Sequence, residues 1–122
     1  MQLMNNITMK KDFTINKDLN DGVGFIAEPV QSYQSNLSIS ATLTAVAAQD
    51  IKLGLYAGVD EQSMTKVYYH EDGEDKALTL DILIGERVGQ LRVDDMNPLD
   101  HFQLKIEDAA LVGVISTLKI NY

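Results

Sequence analysis

The sequence predicts an all-β domain, an antiparallel, jelly-roll-like β-sandwich of about eight strands. Over residues 37–45, apolar and polar side chains alternate one by one; the apolar set is Leu37, Ile39, Ala41, Leu43 and Ala45. Successive side chains of a strand point to opposite faces, so this run predicts a strand with one buried face. Turn-forming residues then recur about every ten residues, which is typical of sandwiches.

The other elements follow in chain order. A short strand is predicted over 13–15, a loop over 16–24 with its turn at Asp21-Gly22, and an edge strand over 25–27 before Pro29. The body of the domain then consists of runs over 36–47, 51–57, 65–70, 77–84, 87–93, 102–106 and 111–122. The alternation assigns to the core Ile51, Leu53, Leu55, Leu78, Leu80, Ile82, Ile84, Phe102, Leu104, Ile106, Val112, Val114, Leu118, Ile120 and Tyr122.

The chain divides into an N-terminal arm or edge strand, residues 1–12, and one sandwich domain, residues 13–122. The arm is apolar without a clear period, and its apolar residues are Met1, Leu3, Met4, Ile7 and Met9. One interpretation is a first edge strand that docks on the domain. The other is an adaptable arm, because methionine fills irregular surfaces well. We expect these five residues to bind a partner chain.

Composition restricts the classes of function. The 122 residues suffice for one hydrophobic core, and a net charge of −8 disfavours nucleic acid, whose phosphates require a basic surface. The acidic surface also disfavours anionic membranes. The chain has no cysteine, signal-peptide pattern or stretch of about 20 apolar residues, so the sequence predicts folding in a reducing cytoplasm and no membrane span.

The densest group of potential metal ligands lies in one predicted hairpin, His70-Glu71-Asp72-Gly73-Glu74-Asp75. Calcium takes carboxylate and carbonyl oxygens, which makes Glu71, Asp72, Glu74 and Asp75 candidate ligands. Their spacing does not follow that of a calcium loop, and Asp-Gly is itself a hairpin turn. We therefore expect a solvated turn without a metal or another cofactor.

Histidines and tyrosines give the remaining candidates for a site. His70 and His101 each neighbour a carboxylate, but no cysteine or glycine-flanked serine offers a nucleophile, so an enzyme is the least favoured class. Tyr68 and Tyr69 are adjacent on one strand, which predicts one tyrosine in the core and one exposed. An exposed tyrosine stacks on sugar rings, so a carbohydrate-binding module, with or without calcium, is the alternative function.

The closing segment has a recognisable plan. Phe102-Gln103-Leu104-Lys105-Ile106, a short alanine-containing link and the last strand ending in Leu118-Lys119-Ile120-Asn121-Tyr122 resemble small β-sandwich virion proteins of tailed bacteriophages. These include capsid decoration proteins, also called auxiliary capsid proteins, and base domains of head fibres. The resemblance implies a non-enzymatic structural protein that docks on capsid subunits or on itself, as a homo-oligomer or part of a larger assembly. It places the protein in the virion, assembled in the host cytoplasm; otherwise the protein would be cytoplasmic.

Overall fold

A computed structural model describes residues 10–94, 97 and 99–122, and in this part of the chain the regular structure is almost entirely β. A single 3-10 turn, Leu19–Asp21, follows the first strand. The strands are β1 (Lys10–Asp18), β2 (Gly24–Phe25), β3 (Val30–Gln31), β4 (Leu37–Leu43), β5 (Ile51–Gly58), β6 (Thr65–Lys66), β7 (Tyr68–Glu71), β8 (Glu74–Ala77), β9 (Thr79–Ile82), β10 (Val88–Val93), β11 (His101–Ile106) and β12 (Val114–Asn121).

The predicted all-β, antiparallel, sandwich-like fold is confirmed. The main sheet follows the order β1-β12-β4-β10-β9-β5-β11-β2, with β3 on β11 and β6 on β5. Two groups of four strands meet at β10 and β9, which pair only at Gln90 and Asp81 among the described residues. The sheet is curled into a half-barrel, and its buried side chains form one core.

The core contains the inward side chains that the alternation predicts along the central strands. In β4, Leu37, Ile39, Ala41 and Leu43 are buried, and the intervening serine and threonine residues are less so. The apolar positions of β5 and β11 are buried in the same way. Each of these strands has a neighbour on both sides, so its backbone is hydrogen-bonded while one face packs on the core.

The predicted alternation is wrong at three strand ends. β12 shifts its register between Ile115 and Thr117 against β4, and this irregularity buries Ile115 and leaves Val114 half-buried, while Val112 lies before the strand and is exposed. Ala45 and Ile84 lie beyond the ends of β4 and β9, so neither has a core face to join. The predicted phase resumes at Leu118, Ile120 and Tyr122, which are buried.

The predicted strand over 65–70 is in fact divided between two sheets. β6 pairs with β5 in the main sheet, whereas β7 pairs with β8 in a separate two-stranded sheet. Val67 lies between them, donating its N–H to Leu55 and accepting from the N–H of Leu78. The first half of β5 pairs with β9 and its second half with β6. The β7–β8 hairpin leaves the main sheet between these two pairings.

The first described residues belong to an edge strand. Lys10–Asp12, the end of the segment expected to form an arm or an edge strand, lie in β1 opposite Lys119–Asn121 of β12. β1 pairs only with β12 in the described chain, and its register shifts between Thr14 and Lys17. Met1, Leu3, Met4, Ile7 and Met9 lie outside the described residues. No described helix has the length and apolar character needed to cross a membrane.

Candidate functional site

The acidic hairpin forms the predicted Asp-Gly turn. Asp72 has a φ angle of 53° and Gly73 one of 81°, and positive values at both central residues are what a tight two-residue hairpin loop requires. His70 Nδ1 lies 3.0 Å from Asp75 Oδ1, and Lys76 Nζ donates to Glu71 Oε1 at 3.2 Å. Asp72 and Glu74 remain exposed at the tip of the hairpin, which we call the acidic tip.

The four calcium candidates do not converge on one point. Glu71 and Asp75 each face a basic side chain across the β7–β8 ladder, while Asp72 and Glu74 extend from the turn. Among the residues that the structure describes, no group of three or more histidine or acidic side chains is close enough to hold a metal ion. The geometry is that of a turn with a cross-strand Lys76–Glu71 ion pair and a cross-strand His70–Asp75 hydrogen bond.

Tyr68 and Tyr69 are both exposed, so the prediction that one of them lies in the core is wrong. Their exposed fractions are 55% and 40%. The reason is that the β7–β8 hairpin is a separate sheet with no core of its own. Both tyrosines and His70 line a groove of about 440 Å³ between the hairpin and the end of β10, where Arg92 forms part of the opposite wall.

The two histidines have different surroundings. His70 lies on the exposed hairpin, and its partner is Asp75 rather than the neighbouring Glu71. His101 begins β11 opposite Gly58, and its buried Nδ1 has no hydrogen-bond partner among the described residues. No hydroxyl that would act as a nucleophile is hydrogen-bonded to either ring in the described chain.

A polar cluster on the outer face of β5 and β11 was not predicted from the sequence. Tyr56 donates its hydroxyl proton to Glu107 Oε2 at 2.7 Å, and Lys66 Nζ lies 2.9 Å from Glu107 Oε1. The hydrogen bond to Glu107 raises the pKa of Tyr56 to about 12. Burial alone would raise the pKa of Glu107, but the contacts with Tyr56 and Lys66 outweigh burial and lower it.

This cluster fastens the short strands to the main sheet. Gly54 leaves the room for the Glu107 carboxylate, because a Cβ atom there would collide with it. Lys105 lies over the rings of Phe25 and Tyr56, with Nζ 5.4 Å and 5.0 Å from the ring centroids. The partners come from β2, β5, β6 and β11, and the positions of these strands in the sheet cannot be inferred from sequence spacing. The arrangement has the chemistry of a structural clamp.

One end of the half-barrel exposes aliphatic side chains on three loops. Val46 follows β4, Leu83 and Ile84 connect β9 to β10, and Val112 precedes β12; their exposed fractions are 60%, 51%, 63% and 45%. We call these four residues the apolar end. Val46 and Val112 lie on the two sides of a shallow depression of about 90 Å³. The sequence could have indicated this surface through aliphatic residues that lie in predicted turns or at strand ends. The alternation instead predicted that two of them, Ile84 and Val112, lie in the core.

Hydrogen bonds hold the loops of the apolar end together. Ala47 N–H donates to Glu86 O at 2.7 Å, and Gly85 N–H donates to Ala47 O at 2.8 Å. On the other side, the side chain of Gln49 accepts from Val112 N–H at 3.2 Å. Ile84 N–H donates to Asp50 Oδ1. The apolar end is therefore a preformed surface, and little backbone ordering remains for a partner to impose.

A polar trough runs along the outer face of β4. Its floor is the small side chains Ser38 and Ser40, because their neighbours on the strand point into the core. Arg92 and Gln90 of β10 form one wall, and the other wall is Asn121 and Lys119 of β12, opposite Ser38 and Ser40 respectively. The trough has a volume of about 450 Å³. Its two cations stand out on a chain with net charge −8.

Comparison of the chain with protein-family models, with curated proteins and with solved structures found no match.

Proposed function

We propose that this chain is a non-enzymatic structural protein that docks on a larger protein assembly, as an auxiliary or decoration component of a virion capsid. The apolar end is the observation that supports the docking role most directly. Four aliphatic side chains lie on three loops that are hydrogen-bonded to one another, at a surface where a monomer gains nothing from exposing them. The resemblance of the last two strands to phage virion proteins supports the virion setting.

The energetics of such a role depend on repetition. Apolar area removed from water contributes about 25 cal/mol per Å², so a patch of four half-exposed side chains forms only a modest interface. A capsid lattice presents the same docking position many times, and a protein that also contacts its neighbours gains effective concentration. A small, rigid, cysteine-free sandwich is suited to that arrangement.

The test replaces the apolar end with charge. The double variant Val46→Asp/Ile84→Asp is expected to fold as the wild type does and to lose association with capsids, measured by co-sedimentation with purified capsids. Val59→Asp is the matched control, because Val59 is 73% exposed and follows β5 at the opposite end of the half-barrel. Equal association of all three proteins would overturn docking through the apolar end. Absence of the chain from purified particles, tested with an antibody, would overturn the virion role.

A carbohydrate-binding module is the second candidate, and the groove beside the hairpin favours it. Tyr68, Tyr69 and His70 line this groove together with Arg92, which places aromatic residues beside a hydrogen-bond donor. A glycan array probed with wild type and with Tyr68→Ala/Tyr69→Ala tests it. Binding that the double variant loses would support this function. A blank array, together with no calcium-induced rise in melting temperature after EDTA treatment, would remove both the sugar and the calcium proposals.

A further inference from the structure

The two cations of the polar trough form no ion pair in the described chain, although Asp12 of β1 lies opposite Lys119 and Asp94 follows β10 close to Arg92. Lys11, Lys17, Lys66 and Lys76 each face a carboxylate, whereas Arg92 and Lys119 are among the described cations that do not. Arg92 lies opposite Ser38 and Lys119 opposite Ser40, so the two stand diagonally across the trough. Strand geometry separates their Cα atoms by about 12 Å. Their side chains are long enough to bring the two charged groups closer together above the serine floor. Gln90 and Asn121 add amide donors to the walls.

The acidic tip has the complementary property. The side chains of Asp72 and Glu74 form no ion pair or hydrogen bond within the described chain, although those of Glu71 and Asp75 beside them do. The tip is held out by a hairpin whose strands pair only with each other among the described residues. At the base of this hairpin lie the exposed rings of Tyr68 and Tyr69, and tyrosine is among the residues that contribute most to protein interfaces.

From this complementarity we infer that the acidic tip of one copy binds in the polar trough of a second copy. The occupant is a second copy of this chain because the exposed carboxylates of the tip and the cations of the trough are complementary in charge and lie on different elements of the same molecule. Carboxylates of Asp72 and Glu74 accept hydrogen bonds from the Arg92 guanidinium and the Lys119 ammonium. The inference goes beyond the docking function proposed above, because the trough and the hairpin are distinct from the apolar end.

The contact is suited to reciprocal pairing. Arg92 lines both the trough and the groove beside the hairpin, so the donor and acceptor surfaces are neighbours on one molecule. In a two-fold dimer each copy offers its tip and receives its partner's tip, and every contact forms twice. Exposed ion pairs contribute little individually, so the dimer is expected to be weak, to form at high concentration and to dissociate in about 1 M NaCl.

Reversal of the charges on each side tests the inference. Variant T, Arg92→Glu/Lys119→Glu, makes the trough acidic, and variant H, Asp72→Lys/Glu74→Lys, makes the tip basic. Each variant alone opposes like charges, so its dimerisation should be weakened about tenfold or more in sedimentation equilibrium. An equimolar mixture of T and H should associate again, because the acidic tips of T meet the basic troughs of H and the basic tips of H meet the acidic troughs of T.

Two controls separate this contact from loss of folding and from docking through the apolar end. The chain carrying all four substitutions has the wild-type net charge and should dimerise like the wild type. Val46→Asp/Ile84→Asp should retain the salt-sensitive dimer, which makes failure of this inference distinct from failure of the proposed function. The inference is overturned if the folded wild type stays monomeric at all concentrations, or if T and H fail to associate when mixed. Association of T alone as strongly as the wild type would also overturn it.

Discussion

β4 and the β7–β8 hairpin are both regular antiparallel structures, yet only one of them contributes to the core. β4 lies between β12 and β10, and its four apolar side chains are at most 4% exposed. Every residue of β7 is exposed, and the hairpin pairs only with itself in the described chain. Hydrogen-bonded ladders are present in both regions, so the difference comes from what lies beneath each face. Stability should therefore be concentrated in the main sheet, while the hairpin is held locally.

The largest expected effect comes from a substitution in the core of the main sheet. Leu53 of β5 is fully buried between β9 and β11. Leu53→Ala removes buried methyl groups and leaves a cavity, so the free energy of unfolding should fall by about 2–5 kcal/mol. Urea denaturation followed by circular dichroism measures the loss. Tyr69→Ala in the hairpin is the control, and its effect should stay below about 1 kcal/mol. Comparable losses in both variants would contradict the proposed division.

The next effect concerns the junction between the two halves of the main sheet. Gly89 of β10 lies against the carbonyl oxygen of Asp81, and a Cβ atom there would collide with this backbone group. Because backbone on both sides has to move, Gly89→Ala should cost about 1–3 kcal/mol. Gly54→Ala meets the end of the Glu107 side chain, which can move aside at the expense of its contacts with Tyr56 and Lys66, so its cost should be smaller than that of a backbone shift. Chemical denaturation of both variants checks the order, and the reverse order would contradict it.

The sequence predicted those parts of the fold that depend on neighbours along the chain. Alternation located β4, β5 and β11 because the apolar residues of each strand recur every second position and are the buried ones. The acidic hairpin was predicted from Asp72-Gly73 because a two-residue turn is a local structure. The register shift of β12 was missed since one extra residue opposite β4 has no signature of its own, and it reversed the expected burial of Val114 and Ile115.

The candidate surfaces depend on strand order, which the sequence does not reveal. The polar trough exists because β10 and β12 flank β4, although about 50 and 80 residues separate Ser38 from Arg92 and Lys119 along the chain. Likewise, Tyr68 and Tyr69 are both exposed because their strand leaves the main sheet. The alternation identified the strand and could not show that it lacks a core. The residue pattern thus predicts which face of a strand is apolar, whereas the order of the strands in the sheet decides what that face packs against.

The pH dependence of stability tests the contribution of the clamp formed by Tyr56, Lys66 and Glu107 on the main sheet. The pKa of Glu107 in the folded protein lies below its ordinary value of 4.5 because Tyr56 and Lys66 favour the carboxylate over the opposing effect of burial. A lowered pKa contributes stability that is present above the unfolded-state pKa and is lost as the pH falls through the folded-state pKa. Glu107→Gln should therefore unfold with less dependence on pH below about 4.5.

For Tyr56 the pKa is raised rather than lowered, so its contribution to stability is lost at alkaline pH. Its pKa rises from 10.0 to about 12, so its contribution is complete below pH 10 and is lost as the pH rises toward 12. Absorbance titration of the phenolate should show a late-ionising tyrosine in the wild type that Tyr56→Phe removes. Hairpin variants such as Tyr69→Ala should keep that late step. Its persistence in Tyr56→Phe would assign the late step to another residue.

The smallest effect comes from imposing the same backbone strain on both regions. Gly73 in the hairpin turn and Gly85 in the β9–β10 turn have φ angles of 81° and 85°, and neither would give an added Cβ atom a neighbour within 4 Å. Alanine at either position is strained by about 1 kcal/mol. Gly85 is tied to Ala47, so Gly85→Ala should lower the global free energy of unfolding by about that amount.

Gly73→Ala, in contrast, should leave global unfolding unchanged within about 0.3 kcal/mol, because the hairpin opens before the main sheet does. The strain should instead appear as faster amide hydrogen exchange within β7 and β8, with exchange in β4 and β5 unaltered. Since space and φ are matched at the two glycines, a difference between the variants reports only how strongly each turn is coupled to the core. Equal global losses would mean that the hairpin unfolds together with the main sheet.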